Sequence, residues 1–127
     1  MGTAAKTRRV VRAFLSARDQ GDAALARSYL APDFTFESPL MRFDDPAAYL
    51  DSHIRFQRLV TGLDVIDELY GPAGAVRLYD LHTATPAGTQ RTTEHFRIQD
   101  GAIRGILLIF DTLPWRPMFG VMGVKGS

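Results

Sequence analysis

The sequence predicts a single α+β domain over residues 1–127, with three N-terminal helices packed on a strongly curved, mainly antiparallel sheet that encloses a cavity. Apolar residues recur at helical spacing through the first half of the chain and at strand spacing through the second. Turns rich in Gly and Pro divide that second half into pieces of strand length. At 127 residues and 46% hydrophobic, the chain can bury one substantial core. Fifteen basic residues are scattered among fourteen acidic ones for a net charge of +1, which argues against a nucleic-acid partner. The chain has no cysteine, so it makes no disulfide and no thiolate chemistry, which fits a reducing cytoplasm. There is no apolar leader, and the longest apolar run, 106–110, is far too short to span a bilayer, so no membrane partner is expected.

Residues 5–20 place Val10, Val11, Phe14, Leu15 and Ala17 at helical spacing, with arginines opposite. Gly21 stops that helix, and Asp22 can cap a second over 23–30, which Pro32 closes. Residues 34–38 alternate as a short strand ending at Pro39. Asp44 or Asp45 caps a third helix whose first turn accepts Pro46, because the missing donor costs nothing there. That helix is expected to reach about residue 60, with Leu50, His53, Ile54 and Gln57 along one stripe and Gly62 beyond its end. A strand over 63–70 follows, then a turn at 71–74, then the hairpin of residues 75–98. Asp100-Gly101 marks a second hairpin into a strand over 104–111. Residues 112–127 form a Pro- and Gly-rich tail.

The hairpin over 75–98 carries the candidate chemistry. Pro86 suits the first corner of a type I turn and Gly88 the left-handed position after it, a three-residue loop that sets Thr85 opposite Thr89. In that register Asp80 faces Glu94, His82 faces Thr92 and Leu78 faces Phe96. All six then share the cavity side, with Val76 and Ile98. Arg77, Tyr79, Leu81, Thr83, Arg91, Thr93, His95 and Arg97 fall on the outer side. Two carboxyls and an imidazole on an apolar face point to acid–base work, with Glu94 as acid or oxyanion donor, His82 as base and Asp80 orienting the ring. The same three have the donor types of a metal site, but nothing in their spacing demands a metal, and neither metal nor cofactor is expected.

Two stretches carry a resemblance to a known family. RVVRAFLSARDQGDAALARSYLAPDFTFESP resembles the opening of nuclear transport factor 2-like proteins, in particular steroid delta-isomerases and SnoaL-like polyketide cyclases. EHFRIQDGAIRGILLIFD resembles their closing hairpin. The resemblance spans roughly residues 8–111 and implies a cystatin-like α+β cone with an internal pocket. Where the steroid isomerases read Glu-Asp-Pro, with the Asp as base, this chain reads Glu37-Ser38-Pro39. It has Phe14 at their oxyanion tyrosine, His53 at a supporting tyrosine, and Leu108 at the last-strand Asp of the cyclases and epoxide hydrolases. Thr92 stands at an Arg of the epoxide hydrolases. Glu94, before His95-Phe96-Arg97, matches the family's second oxyanion acid. The resemblance also implies a bulge near Gly105 that turns Ile106, Leu108 and Phe110 inward and leaves Asp111 outside.

The expected ligand-contacting set is therefore Phe14, Phe36 (or Phe34), Ser38, His53, Leu78, Thr92, Phe96, Leu108 and Phe110. Two functions fit it. One is a cofactor-independent isomerase, cyclase or hydrolase acting on a small, largely apolar ligand. The other is a non-catalytic dimeric ligand-binding or interaction module. A homodimer is expected through the outer sheet face, using Tyr79, Leu81, Thr83 and Thr93 flanked by Arg77, Arg91 and Arg97. In the tail, Trp115, Met118 and Phe119 are too apolar to lie in water, so the segment is expected to cover the cavity mouth or a neighbouring subunit, and Pro114 and Pro117 are expected to keep it from becoming a helix.

Overall fold

A computed structural model describes residues 2–121. Helix α1 spans Ala4–Asp19, with Thr3 Oγ1 accepting from the Lys6 amide, and Gly21 takes the left-handed conformation that ends it. Asp22 caps α2, Ala23–Ser28, and Asp45 caps α3, Pro46–Gln57. The third helix stops earlier than its pattern suggests, and Gly62 lies inside a strand. The strands are β1 (Leu30–Glu37), β2 (Arg42–Phe43), β3 (Val60–Gly71), β4 (Gly74–Thr83), β5 (Thr89–Gln99) and β6 (Ala102–Ile109). They form one sheet in the order β2-β1-β6-β5-β4-β3, antiparallel except where β1 runs parallel to β6.

Bulges bend this sheet between β3 and β4 at Ile66 and between β5 and β6 at Arg104, with an irregularity between β1 and β6. The helices fill the concave side. Val11, Phe14, Phe34, Phe96 and Ile103 are fully enclosed there, and Phe14 meets Phe96 edge-on with ring centroids 6.5 Å apart. The bulge at Arg104 turns Ile106 into the core and leaves Leu107 and Ile109 exposed, as the resemblance implies. Asp111 is exposed and accepts from the Leu113 amide.

The hairpin register differs from the expected one. Asp80 faces Arg91 rather than Glu94, a shift of three residues, and Arg77 faces Glu94. An odd shift exchanges the two faces of one strand relative to its partner. Tyr79, Arg77 and Leu81 therefore point inward with Thr92 and Glu94, while Leu78, Asp80 and His82 point outward. The turn chemistry is as read: the Gly88 amide donates to the Thr85 carbonyl across Pro86-Ala87, and Gly88 is left-handed. The loop is wider because the Ala84 amide leaves the ladder to donate to the Leu59 carbonyl. The Thr83 hydroxyl and amide both donate to the Gly88 carbonyl instead. Charge decides the register: it places Arg77 against Glu94 inside and Asp80 against Arg91 outside, where the expected register set two carboxyls face to face.

The tail also departs from expectation. Leu113–Trp115 forms a 3₁₀ turn and Arg116–Val121 a short helix, α4. Pro114 and Pro117 sit in first turns, where a proline needs no donor. The Phe119 side chain and residues 122–127 lie outside the described part. Among the described residues no helix is long and apolar enough to cross a membrane.

Candidate functional site

A recess of about 390 Å³ opens between α3, the concave sheet and the C-terminal segment, within the range of small-molecule sites. Its walls are apolar, with Phe43, Leu59, Leu63, Leu81, Leu108 and Phe110 among them. Its floor is ionic. A more open hollow of about 490 Å³ between α2 and α3 offers mainly alanines and aliphatic carbon, with no cluster of titratable groups.

The floor is built around Glu94, 2% exposed. Arg18 Nη1 donates to Glu94 Oε2 at 2.8 Å, Tyr79 donates to Oε1 at 3.3 Å, and Arg77 Nη1 stands 3.6 Å from Oε1. Arg77 in turn donates to Glu68 at 3.3 Å, and Glu68 accepts from Arg12 at 2.8 Å at the protein surface. Burial works against the Arg18 charge, but Glu94, Tyr49 and Asp19 more than offset it and hold the guanidinium protonated. Burial likewise raises the Tyr79 phenol well above its usual range, with the Glu94 charge adding to it, so Tyr79 stays a neutral donor.

Tyr49 and His53 lie one turn apart on α3 with ring centroids 6.0 Å apart, and both line the recess. Tyr49 stacks on Phe36 at 4.7 Å, which fixes its ring. Its hydroxyl accepts from Arg18 Nη1 at 3.0 Å, and its own proton has no acceptor among the described residues. Burial pushes this phenol up to about 12, against the pull of Arg18. His53 Nε2 lies 3.8 Å from Asp19 Oδ1, too far for a hydrogen bond, and is buried without a partner among the described residues. Burial and the nearby Arg18 charge both lower the His53 pKa, with Asp19 opposing in part, so the ring is neutral at neutral pH. Asp19 is held below the usual carboxylate range: burial works against it, and His53 and Arg18 outweigh that.

Of the expected catalytic trio only Glu94 is inside. His82 and Asp80 are on the convex face because of the register shift. There His82 bridges Asp64 and Thr89, each at 2.8 Å, and Asp80 takes a two-pronged bond from Arg91 at 2.9 and 3.0 Å. The three groups do not converge. Among the expected ligand contacts, Phe36, Ser38, His53, Thr92, Leu108 and Phe110 line the recess. Phe14 and Phe96 lie behind it in the core, and Leu78 faces outward. Ser38 spends its hydroxyl on the turn that follows, accepting from the amides of Leu40 and Met41.

The sequence reading passed over Arg18, Tyr49, Asp19 and Gln90 as site residues and put Arg77 and Tyr79 on the outer face. Arg18 lies seven residues after Val11 and four after Phe14 along the buried stripe, and a charge there was the available signal. Tyr49 was likewise readable four residues before His53.

A six-stranded bent sheet wrapped on helices, with an apolar recess over a polar floor, is the fold of solved structures described as NTF2-like and as cystatin-like. Similar solved structures include a protein from Kribbella flavida DSM 17836, with TM-score 0.75 and 23% identity over 92% of this chain and 96% of that one. An NTF2-like protein of unknown function from Cytophaga hutchinsonii aligns with TM-score 0.71 and 19% identity, over 89% of this chain and 94% of that one. A candidate ketosteroid isomerase from Kribbella flavida aligns with TM-score 0.69 and 20% identity, over 87% of this chain and 82% of that one. These likenesses carry the fold and no activity. No family model and no curated protein matches the sequence.

Proposed function

We propose that this chain is a cofactor-independent acid–base catalyst for a small, largely apolar carbonyl compound. The observation that carries the reading is the Tyr49 hydroxyl, which receives a hydrogen bond from buried Arg18 and keeps its own proton free beside neutral His53. A ligand carbonyl accepting that proton lies within reach of the imidazole. The neutral His53 imidazole removes a proton from the carbon next to the carbonyl, and the electron pair moves onto the oxygen. Tyr49, backed by Arg18, stabilises the resulting enolate. The imidazolium then returns its proton to the same or a conjugated carbon, so the net change is exchange or isomerisation. Glu94 is a positioning residue here: it holds Arg18 and Tyr79 and does not touch the ligand.

The competing reading is a binding module without chemistry, and the full occupation of Glu94 by protein partners favours it. Deuterium exchange at the α-carbon of 4-phenylcyclohexanone, followed by NMR, separates the two. Exchange accelerated by the protein and reduced about 100-fold or more in His53→Gln supports catalysis. Binding with no accelerated exchange rejects catalysis in favour of the module.

A further inference from the structure

One end of the recess carries a second polar feature that the floor chemistry does not use. Gln90 is 7% exposed and lines the recess. Its Nε2 donates to two backbone carbonyls, those of Ala87 at 3.3 Å and Thr89 at 3.2 Å. Only an amide nitrogen can face two carbonyl oxygens, so the side chain's orientation is fixed by chemistry. Its Oε1 is left as an acceptor, with no donor among the described residues.

Trp115 supplies the opposite group. Its indole is 9% exposed and is held between Phe56 and Phe110, with ring centroids 6.0 and 6.1 Å away. Its Nε1 is a donor buried with no partner among the described residues. A buried donor left unmade is costly, so a ligand acceptor there is favoured. The two residues belong to the same end of the recess. Thr93 faces Ile109 across β5 and β6, so Gln90 lies at the end of the ladder where residues 110–115 leave the sheet.

We infer that this end of the recess is a hydroxyl-reading subsite: Gln90 Oε1 accepts the ligand's hydroxyl proton and Trp115 Nε1 donates to its oxygen. An ether or ketone can satisfy only the donor, and a hydrocarbon neither. Gln90 is four residues from Glu94 along β5, about 13 Å at the strand rise. The ligand class is then an elongated, mostly apolar hydroxy-ketone, with its carbonyl at the floor and its hydroxyl at the far end. This rests on the carbonyl-binding floor proposed above and adds the far end of the ligand.

The test uses the full chain and a matched pair of probes, 4-(4-hydroxyphenyl)cyclohexanone and 4-(4-methoxyphenyl)cyclohexanone, titrated by NMR. The wild-type protein should bind the hydroxyl probe about tenfold more tightly, as expected for two hydrogen bonds against one. Trp115→Phe, which keeps the ring and loses the N–H, should cut that preference severalfold with little change for the methyl ether. Gln90→Met should do the same, and Trp115→Phe decides the matter if Gln90→Met fails to fold, since the Gln90 amide also ties the loop. Equal binding of both probes, weakened for both by Tyr49→Phe, would overturn the subsite and leave the carbonyl floor standing. Binding of neither probe would overturn both.

Discussion

Glu94 shows how one buried side chain can be held by so many partners that its role changes. On an acidic pair with Asp80 it would have been a proton donor; between Arg18, Arg77 and Tyr79 it neutralises two buried guanidinium groups. Removing its charge leaves the two buried cations with only their less buried partners, Asp19 for Arg18 and Glu68 for Arg77, at a cost of up to about 3–5 kcal/mol. Glu94→Gln should therefore lower the urea midpoint strongly, and an unchanged midpoint would contradict the geometry described. His53 makes a prediction in pH. Its pKa is lowered from 6.5 in the folded state, so the unfolded chain binds a proton that the folded chain refuses. Stability should fall as pH drops below 6.5 and level off once the folded ring also titrates. His53→Gln should flatten that part of the stability–pH curve in thermal melts.

At the scale of elements, the turns and caps were written plainly in the sequence. Asp22, Asp45, Gly21 and the left-handed pair Asp100-Gly101 do what their chemistry implies, because each acts on its immediate neighbours. The β4–β5 register was not legible from the turn alone. Ala84 bonds to Leu59, a residue distant in sequence, and no local rule anticipates that donor leaving the ladder. Matching Arg77 to Glu94 and Asp80 to Arg91 would have found the register, since cross-strand charge is a longer-range signal than turn type. That single slip misplaced His82 and Asp80 and hid Tyr79 and Arg77. Gly74 tests how tightly these strands are fitted. A Cβ there would stand 2.9 Å from the Phe96 carbonyl oxygen, so Gly74→Ala should cost about 1–3 kcal/mol, read from the urea midpoint.

Over the whole molecule, the corrected register changes which surface is free to meet a partner. Tyr79, Leu81 and Arg77 are inside, and the convex face instead shows Leu78 and Thr93 beside Leu107 and Ile109, with Arg91 and Arg97 around them. We propose that the chain forms a homodimer through this face. Sedimentation should give a dimer that Ile109→Lys dissociates, and a monomer at high micromolar concentration would reject it. The long edge strand β3 is a poor alternative, because Asp64, Asp67 and the bulge at Ile66 interrupt it.

The sheet order has a further consequence for the time at which this molecule becomes itself. β6 is wedged between β1 and β5, and β1 reaches the rest of the sheet only through it. The meander from β3 to β5 can zip by neighbouring hairpins as soon as it is made, but β1 and β2 must wait for a strand about seventy residues downstream. Until β6 arrives, Phe34 and Phe36 have no sheet behind them, Tyr49 has nothing fixed to stack upon, and the recess has no far wall. During synthesis the sheet is therefore completed only when residues 102–109 arrive, and an unfinished chain is exposed along its aromatic side until then.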